Sequence, residues 1–434
     1  MKEILIDILV ENGERDLSAG LIPRITGISL ELNKIQAIIG PRRVGKTSAI
    51  LLAMDELKKT KRIPGKQILY FNFEDERVQF QQDKLDILLQ AWQELYPDVD
   101  LKKTWFFFDE VQSAPGWEKF INRINEMYSK QIVFTGSNSA VLHTGIKSVM
   151  RGRSIAVEML PLSFKEFCFF KGFIPVAYGK GKSKTVATFK EYLQKGGYPE
   201  IVNIEQNVTC IAYLQEYFNA MLLRDIVDYN HLSNYSYLRS LYRHAATGIG
   251  KTISIRRLHN QLKSQGYSVG LSSIYEVMDM AENAYLFKRI SRFDYSDMKR
   301  TKSDKKIYWI DNGLLNANTM KYSDNKGMLL ENNLFWELYR RYGSIYNTNI
   351  YYYTDVSSEC DFIVYPEGGR PLPVQICWSL YNADTKQREI NGLLKACAYC
   401  KVNIGWIITA EEEDELTFEG IKILVKPAWK WVIE

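Results

Sequence analysis

The sequence predicts an α/β protein built on a parallel sheet, followed by a helical segment and then by a second α/β domain. Three observations carry this. Between residues 34 and 160, short apolar runs alternate with amphipathic stretches, the pattern of parallel strands covered by helices on both faces. After Pro161 the texture turns helical. From about residue 328 a helix and a new series of short strands follow.

In the first region the strand candidates are residues 35–39, 67–73, 104–108, 131–135 and 155–160, with helices at 46–59 and 84–95. Helical patterns come next at 163–170, 188–195 and 208–229, and the Gly/Lys/Ser stretch 179–183 reads as an exposed loop. Residues 254–264 and 272–285 form two helices around a turn at 266–270, the second opened by a capping box of Ser273 and Glu276. Strands at 286–293 and 306–310 flank a charged loop, so helix, turn, helix and β-ribbon follow in winged-helix order. The last region holds a helix at 328–342, strands at 350–353, 361–365 and 374–377, a helix at 386–399 and a strand at 404–409. The expected domains are 1–160, 161–235, 236–310 and 311–434, a division that 434 residues are long enough to support.

Composition is that of an ordinary globular protein, with 46% hydrophobic and 25% charged residues. The opening residues are broken by Asp7, Glu11 and Glu14, and no run approaches the roughly 18 apolar residues of a membrane span. The expected location is the cytoplasm, with no membrane partner. Six scattered cysteines read as reduced thiols. Cys397 and Cys400 have metal or redox spacing, but no second pair or nearby His completes a site, so a buried helical pair is the reading. The net charge is only +5, yet basic residues crowd the segment from Lys251 to Lys306. An acidic partner such as DNA would meet the chain there.

One stretch carries specific chemistry. Gly40, Pro41, Arg42, Arg43, Val44, Gly45, Lys46, Thr47 and Ser48 follow a strand and open a helix. Glycines let backbone N–H groups turn inward, and the helix N-terminus adds partial positive charge. Lys46 can reach the β- and γ-phosphates of ATP, and the Thr47 hydroxyl can ligate Mg2+. Downstream, the apolar run 105–108 delivers Asp109 and Glu110 at a strand's C-terminal end, where open α/β sheets bind ligands. Asp109 is expected to hold the magnesium and Glu110 to act as general base on the attacking water. Ser137 or Asn138, ending the next strand candidate, is expected between these two parts as a γ-phosphate sensor.

These motifs resemble a family of bacterial and archaeal AAA+-type ATPases. The resemblance rests on GPRRVGKTS at 40–48, YFNFED at 70–75, FFFDEVQ at 106–112, TGSNS at 135–139, RGR at 151–153, LPLSFKEF at 160–167 and GGYPE at 196–200. It extends over nearly the whole chain and implies a P-loop core, a helical lid, a winged helix and a C-terminal domain similar to PD-(D/E)XK (restriction-endonuclease-like) nucleases. It also implies an arginine finger at Arg151 or Arg153 acting on a neighbour's nucleotide in a homo-oligomer. Pro199, in the lid motif, would lie near the adenine, and Arg224 would be a second sensor.

In the nuclease-like domain the resemblance implies a metal held by Glu331, Asp361 and Gln375. Gln375 is neutral where that family has an acid, and Cys377 stands where it has a lysine. Lys386 or Arg388 is left as a displaced cation. A binding or structural remnant is therefore expected rather than an active nuclease. The leading expectation is an ATP-driven conformational switch for the C-terminal domains, with an ATP-regulated DNA-binding protein or nuclease as the alternatives.

Overall fold

The computed structural model describes residues 1–434 apart from 15–17, 26, 82–83, 138–151, 320–325 and 346. The chain divides into two compact units, Met1–Leu160 and Pro161–Glu434. The first contains α1 (Lys2–Glu14), β1 (Ile35–Ile39), α2 (Lys46–Lys59), β2 (Ile68–Asn72), α3 (Asp86–Leu95), β3 (Trp105–Asp109), α4 (Trp117–Met127), β4 (Ile132–Gly136) and β5 (Ser154–Glu158). Its five strands form one sheet in the order β2-β3-β4-β1-β5, and every pairing is parallel.

Residues of β1, β3 and β4 are buried throughout, as parallel strands covered on both faces must be. Strand parity sends Phe107 to one face and Phe106 and Phe108 to the other. Phe108 meets Phe73 and Phe120 at ring-centroid distances of 5.8 and 5.7 Å. Deleting such a core ring costs about 3–5 kcal/mol, so the run that delivers Asp109 is also a main support of the unit. Because β4 lies between β3 and β1, the ends of these three strands stand side by side.

The second unit opens with α5 (Phe164–Phe170), α6 (Lys182–Lys195) and α7 (Asn207–Ala220), the last running into a π-helical stretch, Met221–Asp228. Ser163 caps α5 in a reciprocal capping box with Glu166. Then come α8 (Leu238–Ala246), β6 (Thr252–Ile253), α9 (Ile255–Ser264), α10 (Leu271–Asn283), β7 (Phe287–Ile290), α11 (Asp297–Lys302) and β8 (Lys305–Trp309). The three strands pair antiparallel in the order β6-β8-β7. The capping box expected at Ser273 and Glu276 is absent: Gly270 is the N-cap and no side chain caps the helix. Leu271 continues the apolar stripe of Ile274, Met278 and Ala281, whose burial outweighs a cap worth about 1 kcal/mol.

The chain ends with α12 (Asn312–Asn318), α13 (Lys326–Tyr342), β9 (Ile350–Thr354), β10 (Glu359–Val364), β11 (Leu372–Ile376), α14 (Ala383–Cys400), β12 (Ile404–Thr409), β13 (Asp414–Phe418), β14 (Ile421–Pro427) and α15 (Ala428–Trp431). These strands make a separate six-stranded mixed sheet, β13-β14-β12-β11-β10-β9. Phe293, just after β7, packs in the core of that sheet with Ile363, Ile390 and Leu393, and its N–H bonds Tyr352 O of β9 at 2.6 Å. The ribbon and the C-terminal segment thus share one interior. No described helix is long and apolar enough to cross a membrane. All six cysteines are free and buried.

Candidate functional site

The first site is assembled from the ends of β1, β3 and β4. Gly40 ends β1 with φ +150°, and a Cβ there would stand 2.0 Å from Met159 O, so only glycine permits the turn. Gly45 takes φ 97° as the N-cap of α2, a left-handed conformation that glycine adopts without strain. Lys46, the first residue of α2, is 4% exposed and donates to Gly40 O at 3.0 Å and Pro41 O at 2.9 Å. Its ammonium is thereby curled over the loop it serves. Val44 is buried, Thr47 and Ser48 are half-buried, and Arg43 is exposed. Arg42 donates to Glu74 at 3.1 Å.

Thr47 Oγ1 donates to Asp109 Oδ2 at 2.7 Å, which joins the loop to the end of β3. Burial pushes the Asp109 carboxyl up, as does the neighbouring Glu110 charge, against the lowering effect of Thr135, Thr47 and Lys46. The same burial, together with Asp109, pushes the Tyr70 phenol upward. Glu110 has φ 50° and ψ 52°, an uncommon conformation for a non-glycine residue. Its N–H is held by Thr135 Oγ1 at 2.9 Å, and its Oε1 lies 3.9 Å from Lys46 Nζ. A hydroxyl and a carboxylate facing each other in this way are a donor set suited to a hydrated Mg2+.

Ser137, 1% exposed, follows β4 and accepts from Gln112 Nε2 at 3.3 Å. Asn138 and Arg151 lie outside the described residues. Arg153 stands apart from this cluster: its guanidinium donates to Asn122 at 2.7 Å and pairs with Glu126 at 2.5 Å, both on α4. Sequence reasoning missed Arg24, which donates to Val44 O at 2.7 Å and Leu160 O at 2.9 Å. It fastens the phosphate-binding turn to the end of the unit, and a lone arginine in an irregular segment gives no signal of that.

Residues 32–168 match a family model described as an AAA domain, and residues 186–325 match one described as a domain of unknown function (DUF8612). The uncharacterized protein MJ1544 of Methanocaldococcus jannaschii is 33% identical over 442 residues, covering 99% of this chain and 95% of that protein. The chain belongs to the same family as MJ1544. An uncharacterized protein of Haemophilus influenzae is 29% identical over 401 residues, covering 91% of this chain and 94% of the relative. Among solved structures, the ORC1 protein of Aeropyrum pernix in complex with DNA matches with TM-score 0.33 and 12% identity, over 73% of this chain and 91% of that one. AMPPCP-bound DnaA from Aquifex aeolicus matches with TM-score 0.24 and 14% identity, over 58% of this chain and 82% of that one. Most of the first unit is thus similar to an AAA domain.

In the second unit, Pro199 opens a short 3-10 turn after the fully buried Tyr198. That turn is anchored from far along the chain. Gly197 N–H donates to Asp311 Oδ2 at 2.6 Å, and Asp311 also caps α12 through Leu314 N at 2.9 Å. A Cβ on Gly197 would lie 2.5 Å from Leu162 O. Arg224 is exposed on the π-helical stretch.

Glu331, Asp361 and Gln375, expected to hold a metal, do converge, but around a lysine. Lys306 of β8 is fully buried, ion-paired with Glu359 and 3.5 and 3.8 Å from Asp361 and Glu331. Tyr308 donates to Glu331 at 2.8 Å. Asp361 Oδ2 accepts from Ile376 N at 2.9 Å, while the Gln375 amide joins Asp361 N to Glu389. The metal expected on Glu331, Asp361 and Gln375 therefore meets donors already committed to other partners. Among the described residues, no group of three or more His, Cys, Asp or Glu is disposed to hold a metal ion. Burial pushes the Glu331 and Asp361 carboxyls up even with the Lys306 ammonium beside them. The cation is supplied by Lys306, not by Lys386 or Arg388; Arg388 pairs with Glu389 on the exposed side at 2.6 Å. Both parities of this strand are apolar and buried, so alternation gave no signal that Lys306 points inward.

Proposed function

We propose that the chain binds ATP with Mg2+ at Gly40–Thr47 and hydrolyses it, using the cycle to change how the segments beyond residue 160 are presented. The observation that carries this is the Thr47–Asp109 hydrogen bond, with Glu110 and Lys46 beside it. In this reading Lys46 exchanges its bonds to Gly40 and Pro41 for the β- and γ-phosphates. Thr47 and Asp109 would hold the metal, Asp109 through water. Bound Mg2+ would neutralise charge on the phosphate oxygens. Glu110 takes a proton from a water whose oxygen attacks the γ-phosphorus. The bond to the bridging oxygen breaks, leaving ADP and phosphate.

Ser137 or Asn138 would sense the γ-phosphate. Arg153 would act on a neighbouring copy only if it left Glu126, which makes a homo-oligomer part of the proposal. Residues 161–235 would be the lid, with Pro199 near the adenine and Asp311 joining that turn to β8. Residues 236–310 would be a winged helix and 311–434 a nuclease-like remnant. The test is direct. Lys46→Ala should abolish ATP binding, and an ATPase rate that rises with protein concentration supports the oligomer. Undiminished binding by Lys46→Ala removes the proposal.

DNA as a partner is favoured by one observation. Arg256, Arg257, Lys299 and Lys302 are exposed, while Asp279 and Glu282 of α10 are offset by Arg289. Glu276 of α10 is exposed too, so the four basic side chains outweigh it rather than stand alone.

A further inference from the structure

The general base is held by a residue two positions further on. After Glu110 the chain turns through the 3-10 segment Val111–Ser113, with Val111 fully buried. This brings the Gln112 side chain back over Glu110. Gln112 Nε2 donates to Glu110 Oε2 at 2.6 Å and to Ser137 Oγ at 3.3 Å. A carboxylate oxygen only accepts, so this contact fixes which end of the amide is nitrogen. Both amide hydrogens are spent in these two bonds. The other end, Gln112 Oε1, is buried and accepts from no described residue. An unsatisfied buried acceptor is destabilising, a cost relieved once a hydrogen donor enters beside Glu110.

A water attacking phosphorus has two hydrogens. One goes to the base, and orientation requires an acceptor for the second. Building on the ATPase reading above, we propose that Gln112 is a positioning residue of the ATPase site. Nε2 fixes the Glu110 carboxylate against Ser137, and Oε1 accepts the second hydrogen of the attacking water. Gln112 exchanges no proton and forms no bond to phosphorus. It also ties the end of β3 to the end of β4, so the base and the γ-phosphate sensing position move together.

The test compares full-length wild type, Gln112→Ala and Gln112→Glu for ATP turnover, and for affinity toward ATP, ADP and ADP with aluminium fluoride. Gln112→Ala should lower kcat about 10- to 100-fold while ATP affinity stays within twofold. Its preference for ADP with aluminium fluoride over ADP should fall in step. Gln112→Glu keeps the side-chain volume but loses both amide hydrogens, so its kcat should fall as well; loss of packing alone would leave Gln112→Glu near wild type. Turnover by Gln112→Ala within twofold of wild type overturns the proposal, and so does a loss confined to ATP binding. A wild type that binds ATP but releases no phosphate overturns the ATPase reading instead. The fluoride comparison then still decides: equal preference in wild type and Gln112→Ala overturns the role of Gln112, and a reduced preference sustains it.

Discussion

Replacing Asp311 with Asn should remove a defined part of the chain's pH-dependent stability. Asp311 is 6% exposed. Burial pushes its carboxyl up from 3.8 to about 6, against the lowering effect of the Gly197, Leu314 and Gly313 N–H groups and the Arg340 guanidinium. A raised folded value means that the folded chain holds this proton more tightly than the unfolded chain does. The associated stability is therefore complete only below the unfolded value, and it is lost as pH rises through the folded one. The whole difference amounts to about 3 kcal/mol, of which about 1.4 kcal/mol is lost between pH 5 and pH 8. Asn cannot titrate, and its amide meets one N–H donor badly, so the variant also carries a constant offset. The assay is urea unfolding of wild type and Asp311→Asn at several pH values across that range. The stability advantage of wild type over Asp311→Asn should shrink by about 1.4 kcal/mol from pH 5 to pH 8. An advantage independent of pH would refute the account of a buried, ionisable anchor for the Gly197 turn.

Three further outcomes are expected. Glu110→Gln should keep ATP affinity and lose about 10²- to 10⁴-fold in kcat; hydrolysis at the normal rate would remove Glu110 as the base. Lys306→Met should destabilise the chain by about 3–5 kcal/mol near neutral pH. That deficit should narrow in acid, because Glu331 and Asp361, already pushed upward by burial, then take up protons; an unchanged urea midpoint would sink the reading of Lys306 as the central cation. Neutralising Lys299 and Lys302 should weaken duplex DNA binding alike across sequences and lower its salt slope by roughly 1 for each phosphate that is no longer neutralised, and wild-type binding insensitive to salt would end the DNA reading. Arg300 is the poorer target, since it is tied to Asp297 and to Asp294 O.

Local pattern made much of the architecture legible. The bounds of β1, α2 and β12 are those read from periodicity, because each is a short apolar run or amphipathic stretch whose ends are marked within a few residues. The parallel core and the separate C-terminal sheet follow from the same alternation. The hairpin of β13 and β14 escaped notice: β13 is exposed along most of its length, and only Leu416 and Phe418 mark its apolar face. The phosphate-binding turn was readable for a related reason, since its glycines, lysine and threonine are neighbours in the chain and their chemistry is local.

By itself, then, the sequence determined where the backbone turns around a phosphate, which runs become strands, and which carboxylates stand at a strand's end. Tertiary structure alone decided which partner each charged or polar group meets. Asp311 reaches Gly197 across 114 positions, and Gln112 meets Ser137 across 25. Lys306 neutralises acids carried by α13 and β10. Hydrophobic periodicity depends on one element at a time. The neutralisation of a buried charge depends on which distant segment the folded chain brings against it, and no window along the sequence contains both.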